Sequence, residues 1–118
     1  MNVPTLVYAA LTPLFAGGVW PLRADQGTPM PYLTFQRVGG QPSNTFCGNT
    51  DKENGRWQFN AWAKTQAEAD ALMAQVKVIV CDQSTFGGVS LGEREWVEGY
   101  DTRTFGARQD FSIWWATA

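Results

Sequence analysis

Hydrophobic and polar positions alternate from Trp57 to Ala63, with Trp57, Phe59, Ala61 and Ala63 on one side and Gln58 and Asn60 on the other. A period of two predicts a strand with one face built for burial. The period then lengthens to about 3.6. Ala69, Leu72, Met73, Val76, Ile79 and Val80 make one stripe, and Glu68, Asp70, Gln75 and Lys77 lie off it. This predicts a helix from Thr65 to Cys81 lying on a sheet. Thr65 is placed as its N-cap, and Glu68 three residues later completes a capping box that favours the helix by roughly 1 kcal/mol.

The same reading extends along the chain. Pro4 suits a first helical turn, and Val7, Ala10, Leu11 and Leu14 form a short stripe that Pro13 and Gly17-Gly18 bring to an end. Val19 to Leu22 extends briefly, and 23–30 reads as an irregular connection. Pro31 to Val38 alternates Leu33 and Phe35 with Thr34 and Gln36, as a half-buried strand does. Gly39 to Gly55 reads as a long polar loop, a length that in compact domains points to partner contact or mobility. The alternative is a short irregular strand around 45–48 that pairs locally. Leu91 to Tyr100 gives a strand signal weakened by its charges, and Asp101-Thr102 turns the chain back. The last strand, Thr104 to Trp115, sets Phe105, Ala107, Phe111, Ile113 and Trp115 against Thr104, Arg108, Asp110, Ser112 and Trp114. The expected fold is α+β, a mostly antiparallel sheet of about four strands with two helices on one face, and residues 1–118 are expected to form a single domain.

Composition narrows the function classes. The net charge of −2 and pI near 4.9 argue against a protein that grips phosphates, which needs clustered cations. With no signal peptide evident, Cys47 and Cys81 are expected to be free thiols in a soluble, cytoplasmic chain. No segment is long and apolar enough to suggest a membrane span.

Candidate chemistry is sparse. The sequence has no histidine, which removes imidazole metal sites and the Ser-His-Asp and Cys-His nucleophile systems. Two separated cysteines make neither a zinc site nor a redox pair, so no metal, cofactor or catalytic residue is expected. Gly17-Gly18, Gly39-Gly40 and Gly87-Gly88 read as turns and match no phosphate-binding pattern. Glu93 and Glu95 are placed on one strand face, where solvation explains them better than acid–base chemistry. Cys47 has no evident reason to be activated.

The aromatics pose a different question. Six Trp in 118 residues exceed what a small core hides easily. Trp57, Phe59 and Phe111 are assigned to the core, whereas Trp62 and Trp114 fall on the polar sides of their strands. With Trp20 and Trp96, these two are candidates for intermolecular burial, and Asn44, Phe46 and Asn49 of the long loop join them as candidate partner contacts. Subunit contact is the stronger reading of these residues, over an aromatic module for nucleic acid or carbohydrate or a small histidine-free enzyme.

Leu11-Thr12-Pro13-Leu14, Gly17-Gly18-Val19-Trp20-Pro21-Leu22, Gln26 to Gln36, Gln58-Phe59-Asn60-Ala61-Trp62-Ala63, Glu68-Ala69-Asp70-Ala71-Leu72 and Asp110-Phe111-Ser112-Ile113-Trp114 together resemble the tail-completion proteins of long-tailed bacteriophages and prophages. The resemblance spans nearly the whole chain. It implies a non-enzymatic α+β subunit of the virion tail, assembled in the host bacterial cytoplasm, that caps the tail tube, stops its polymerisation and joins it to the head. It further implies a homo-oligomer, commonly a hexameric ring, in contact with the tail tube protein and the head-tail connector or neck protein. DNA would pass through the lumen without tight binding. No catalytic motif and no ring-contact residue carry over from the resemblance.

Overall fold

A computed structural model describes residues 3–25, 27–40, 44–45, 48–49, 52–84, 86–98 and 104–116. Helix α1 runs from Val3 to Leu11 and tightens into a 3-10 turn at Thr12–Leu14, with Pro13 inside it. Strands β1 (Val19–Pro21), β2 (Tyr32–Arg37), β3 (Asn44–Thr45), β4 (Gly48–Asn49) and β5 (Lys52–Ala63) follow. Helix α2 (Gln66–Val80) leads to β6 (Val89–Ser90), β7 (Glu95–Glu98) and β8 (Phe105–Ala116).

The main sheet has six strands in the order β1-β2-β5-β8-β6, with β7 also on the outer side of β8. Among the described residues only β1 and β2 run parallel, and the other pairings of this sheet are antiparallel. The architecture is α+β, as expected. The strands beyond the expected four or so are short edge pieces. The long central strands β5 and β8 pair over their whole length, from Lys52 opposite Ala116 to Ala63 opposite Phe105.

Register assigns the faces. Leu33, Ala61 and Ala107 form one row and Phe35, Phe59 and Gln109 another, with Trp57 opposite Phe111 and Gly55 opposite Ile113. Their side chains meet the buried stripe of α1 (Val3, Val7, Leu11) and that of α2 (Ala69, Met73, Val76, Val80) in one apolar core. Phe59 meets Phe111 edge to face at 5.7 Å, as Tyr8 of α1 meets Phe35, a geometry favoured by the ring quadrupoles. Thr65 caps α2 as expected, its Oγ1 accepting from the Glu68 amide at 3.1 Å.

Three elements differ from the expectation. The loop expected over 39–55 ends at β5, because Lys52, Glu53, Asn54 and Gly55 pair with β8 despite their polarity. Asn54 is buried there, its Nδ2 donating to Ser112 Oγ at 2.8 Å and to the Ile113 carbonyl at 3.3 Å. Within the remaining loop, β3 and β4 pair locally, Asn44 opposite Asn49, close to the alternative of a short strand. The strand expected from Leu91 to Tyr100 begins only at Glu95, because 91–94 bend the chain between β6 and β7; the turn at Asp101-Thr102 lies outside the described residues. Glu93 and Glu95 therefore do not share a strand face.

Candidate functional site

Among the described residues no helix covers the opposite face of the sheet. Its rows are Thr34, Asn60 and Arg108; Gln36, Gln58 and Asp110; Arg56 and Ser112. Charges here are met within the sheet. Arg56 pairs with Asp110 at 2.7 Å, Arg108 with Glu95 at 2.9 Å, and Gln36 Nε2 donates to Gln58 Oε1 at 3.0 Å. A cleft of about 260 Å³ lies among Arg56, Glu93, Glu95, Arg108 and Asp110. Two of its three carboxylates are held by arginines, Glu95 by Arg108 and Asp110 by Arg56.

A larger groove of about 720 Å³ opens at the end of this face where β2 begins and β5 ends. It exists because β1 is parallel to β2. The connection 22–31 must carry the chain back along the strand direction, and it does so without a helix. Trp62 and Tyr32 line the groove, their rings 6.5 Å apart, and Trp62 Nε1 donates to Thr34 Oγ1 at 3.1 Å. That bond accounts for Thr34, a polar residue only 5 % exposed. Gly106 lies opposite Trp62, where an added Cβ would come within 2.8 Å of the indole. Small size at 106 seats the ring.

Leu22 forms the groove's rim in an unusual conformation. Its φ is +65°, the only positive value among the described non-glycine residues. The Arg23 amide donates to the Pro21 carbonyl at 2.7 Å across it, and its own amide donates to the Phe35 carbonyl at 2.8 Å. A two-residue span closed around a positive φ is the strained form of γ-turn. The side chain so held is 70 % exposed, which departs from what strain and hydrophobicity alone would select.

The residues singled out from the sequence separate into groups. Trp96 is 74 % exposed and Trp114 44 % exposed. Trp62 and Trp20 are half-buried, the latter's Nε1 donating to the Gly17 carbonyl at 2.9 Å. Asn44 and Asn49 face each other in the β3–β4 pair, while Phe46 and Cys47 lie outside the described residues. Trp57, Phe59 and Phe111 are core, so they offer no stacking platform for bases or sugars. The groove gathers Trp62 with Leu22, Arg23, Met30 and Tyr32, four residues the sequence did not single out as contacts. A leucine at positive φ leaves no trace in a one-dimensional pattern.

Cys81 is a free thiol. Among the described residues no cluster of His, Cys, Asp or Glu could hold a metal ion, and no helix is long and apolar enough to cross a membrane. Against known proteins, the sequence model of one family, described as tail completion protein gp17, matches residues 6–116. No curated protein matches the chain.

Proposed function

Because the chain belongs to the phage tail completion protein gp17 family, we propose that it terminates a bacteriophage or prophage tail: it caps the finished tube, stops its polymerisation and joins it to the head-proximal neck. The observation that carries this reading is the extent of the match, residues 6–116, which takes in the whole sheet, all of α2 and α1 from Leu6 onward. The family is a structural one and not a family of enzymes. In the proposed assembly the subunit forms a homo-oligomeric ring, six-membered, in the virion tail, having assembled in the host cytoplasm. The tail tube protein lies on one side and the connector or neck protein on the other.

A closed ring needs heterologous contacts between different patches of neighbouring subunits. Trp96 and Trp114 supply exposed aromatic anchors of the kind that dominate such contacts. Asn44 and Asn49 of the β3–β4 pair, Phe46, and the half-buried Trp20 and Trp62 are further contact candidates. DNA passing through the lumen meets a protein with net charge −2 and is not held tightly, since tight binding needs clustered cations. Electron microscopy of the purified protein mixed with tail tubes tests the reading: rings at tube ends are expected, and bare ends on tubes that keep lengthening would refute it.

A further inference from the structure

We propose that β7 is a sliding edge strand with two registers on β8, two residues apart, and that its slide sets where Trp96 stands along the sheet edge. β6 and β7 pair with the same strand but out of step. Val89 lies opposite Ser112 and Ser90 opposite Phe111, and the Leu91 amide donates to the Asp110 carbonyl at 3.0 Å. Continued without interruption, that ladder puts Glu93 opposite Arg108. Glu95 stands there instead, with Trp96 opposite Ala107, so the bend at 91–94 holds two residues in excess, as a large bulge does.

A step of two keeps every side chain on its own face of the sheet. The run Glu93-Arg94-Glu95-Trp96 suits that step. On the uncovered face, Glu93 replaces Glu95 at Arg108 in the second register, and it already lines the same cleft without an ion pair among the described residues. On the other face Arg94 takes the place of Trp96 opposite Ala107. Trp96 is 74 % exposed, so this place is open to water and leaving it forfeits little apolar burial. Among the described residues β7 has four residues and one partner strand, and a single short ladder is all that breaks and re-forms.

A set of tethers selects the observed register. Ser90 Oγ and Gln109 Nε2 both donate to the Gly92 carbonyl, at 2.7 and 2.8 Å, and Arg94 Nε donates to Asp70 Oδ1 of α2 at 3.0 Å. They hold the excess residues out of the ladder. Once released, β7 moves by about 7 Å along β8 and carries Trp96 with it. A partner that grips Trp96 in one position thereby selects a register, although the slide itself does not depend on the ring reading.

Solution NMR of the full chain tests the slide. Ala107 is expected to show cross-strand contacts with Trp96 in the main register and with Arg94 in the minor one, with microsecond-to-millisecond exchange confined to β7 and its neighbours. Asp70→Asn frees Arg94, and Glu95→Gln leaves Arg108 to Glu93. Each should raise the minor population about two- to fivefold, the effect of one partly exposed ion pair, and Glu93→Gln should lower it. Contacts of Ala107 with Trp96 alone, in wild type and in the Asp70→Asn/Glu95→Gln double variant, overturn the proposal. So does a double variant whose β7 amides lose protection with no contact between Ala107 and Arg94, because that strand has detached and not shifted.

Discussion

Leu22 shows how much one side chain's position can depend on backbone that opposes it. A left-handed conformation costs a branched residue about 1–2 kcal/mol, and glycine there escapes that cost while losing about 0.5–1 kcal/mol to a freer unfolded chain. Leu22→Gly is therefore expected to be neutral or stabilising by up to about 1 kcal/mol in chemical denaturation. A loss beyond that would mean Leu22 contributes packing its 70 % exposure does not suggest. Gly106 gives the opposite result. With Trp62 Cζ3 2.8 Å and the Val97 carbonyl 3.2 Å from an added Cβ, Gly106→Ala should cost about 1–3 kcal/mol and perturb tryptophan fluorescence. An unchanged melting curve would show that the indole is loosely seated. Trp57 and Trp115 pack edge to face at 6.1 Å, with the Arg37 guanidinium 5.1 Å above the Trp115 ring, so a cation–π contact covers one tryptophan at the end of the ribbon.

Among the elements, α2 was the most legible. Its stripe and Thr65 cap are both sequence properties, and its observed span Gln66–Val80 differs from the expectation by a residue at each end. Thr65→Ala removes the acceptor for the Glu68 amide and should cost about 1 kcal/mol, read as a lower melting temperature. At the other end, the backbone amide of Ser84 and then its hydroxyl donate to Asp82 and hold its carboxyl below the ordinary value. A depressed folded pKa means the stabilisation is present above the unfolded carboxylate range and is lost as pH falls through the folded value. The stability gap between wild type and Asp82→Asn should accordingly narrow on acidification. A gap that widened would reverse the sign. Less legible was the start of β5, because Lys52 to Gly55 carry no apolar alternation. Pairing with the aromatic end of β8 specifies them, and that information lies some sixty residues away. Gln109 was equally opaque: it sits on the core face at 2 % exposure, with Nε2 donating to Ser90 Oγ and the Gly92 carbonyl. Its partners exist only once β6 and the following bend are in place.

For the whole molecule, the family and fold class were readable because long strongly periodic strands and a capped helix dominate the chain. The groove was not, since a parallel β1 returning through an irregular crossover is a fact of topology. Deleting residues 44–49 removes β3 and β4 while leaving every pair of β5 with β8. The shortened protein should melt within a few degrees of wild type but fail to limit tail length; tails of normal length would discount the β3–β4 pair as a contact. The β5–β8 pairing also bears on how the subunit comes to exist. β8 is the last strand in the chain order, yet it lies inside the sheet between β5 and the β6 and β7 edge pieces. Loops of 41 to 63 residues must close before its pairs with β5 form, so collapse cannot proceed strand by strand as the chain emerges. Folding should await β8 and be slow for a domain of this size, on the order of milliseconds to seconds. Until β8 arrives, the Trp- and Phe-bearing edge of β5 stays open, and any chain interrupted before residue 105 is a substrate for aggregation or chaperone capture rather than a smaller working subunit.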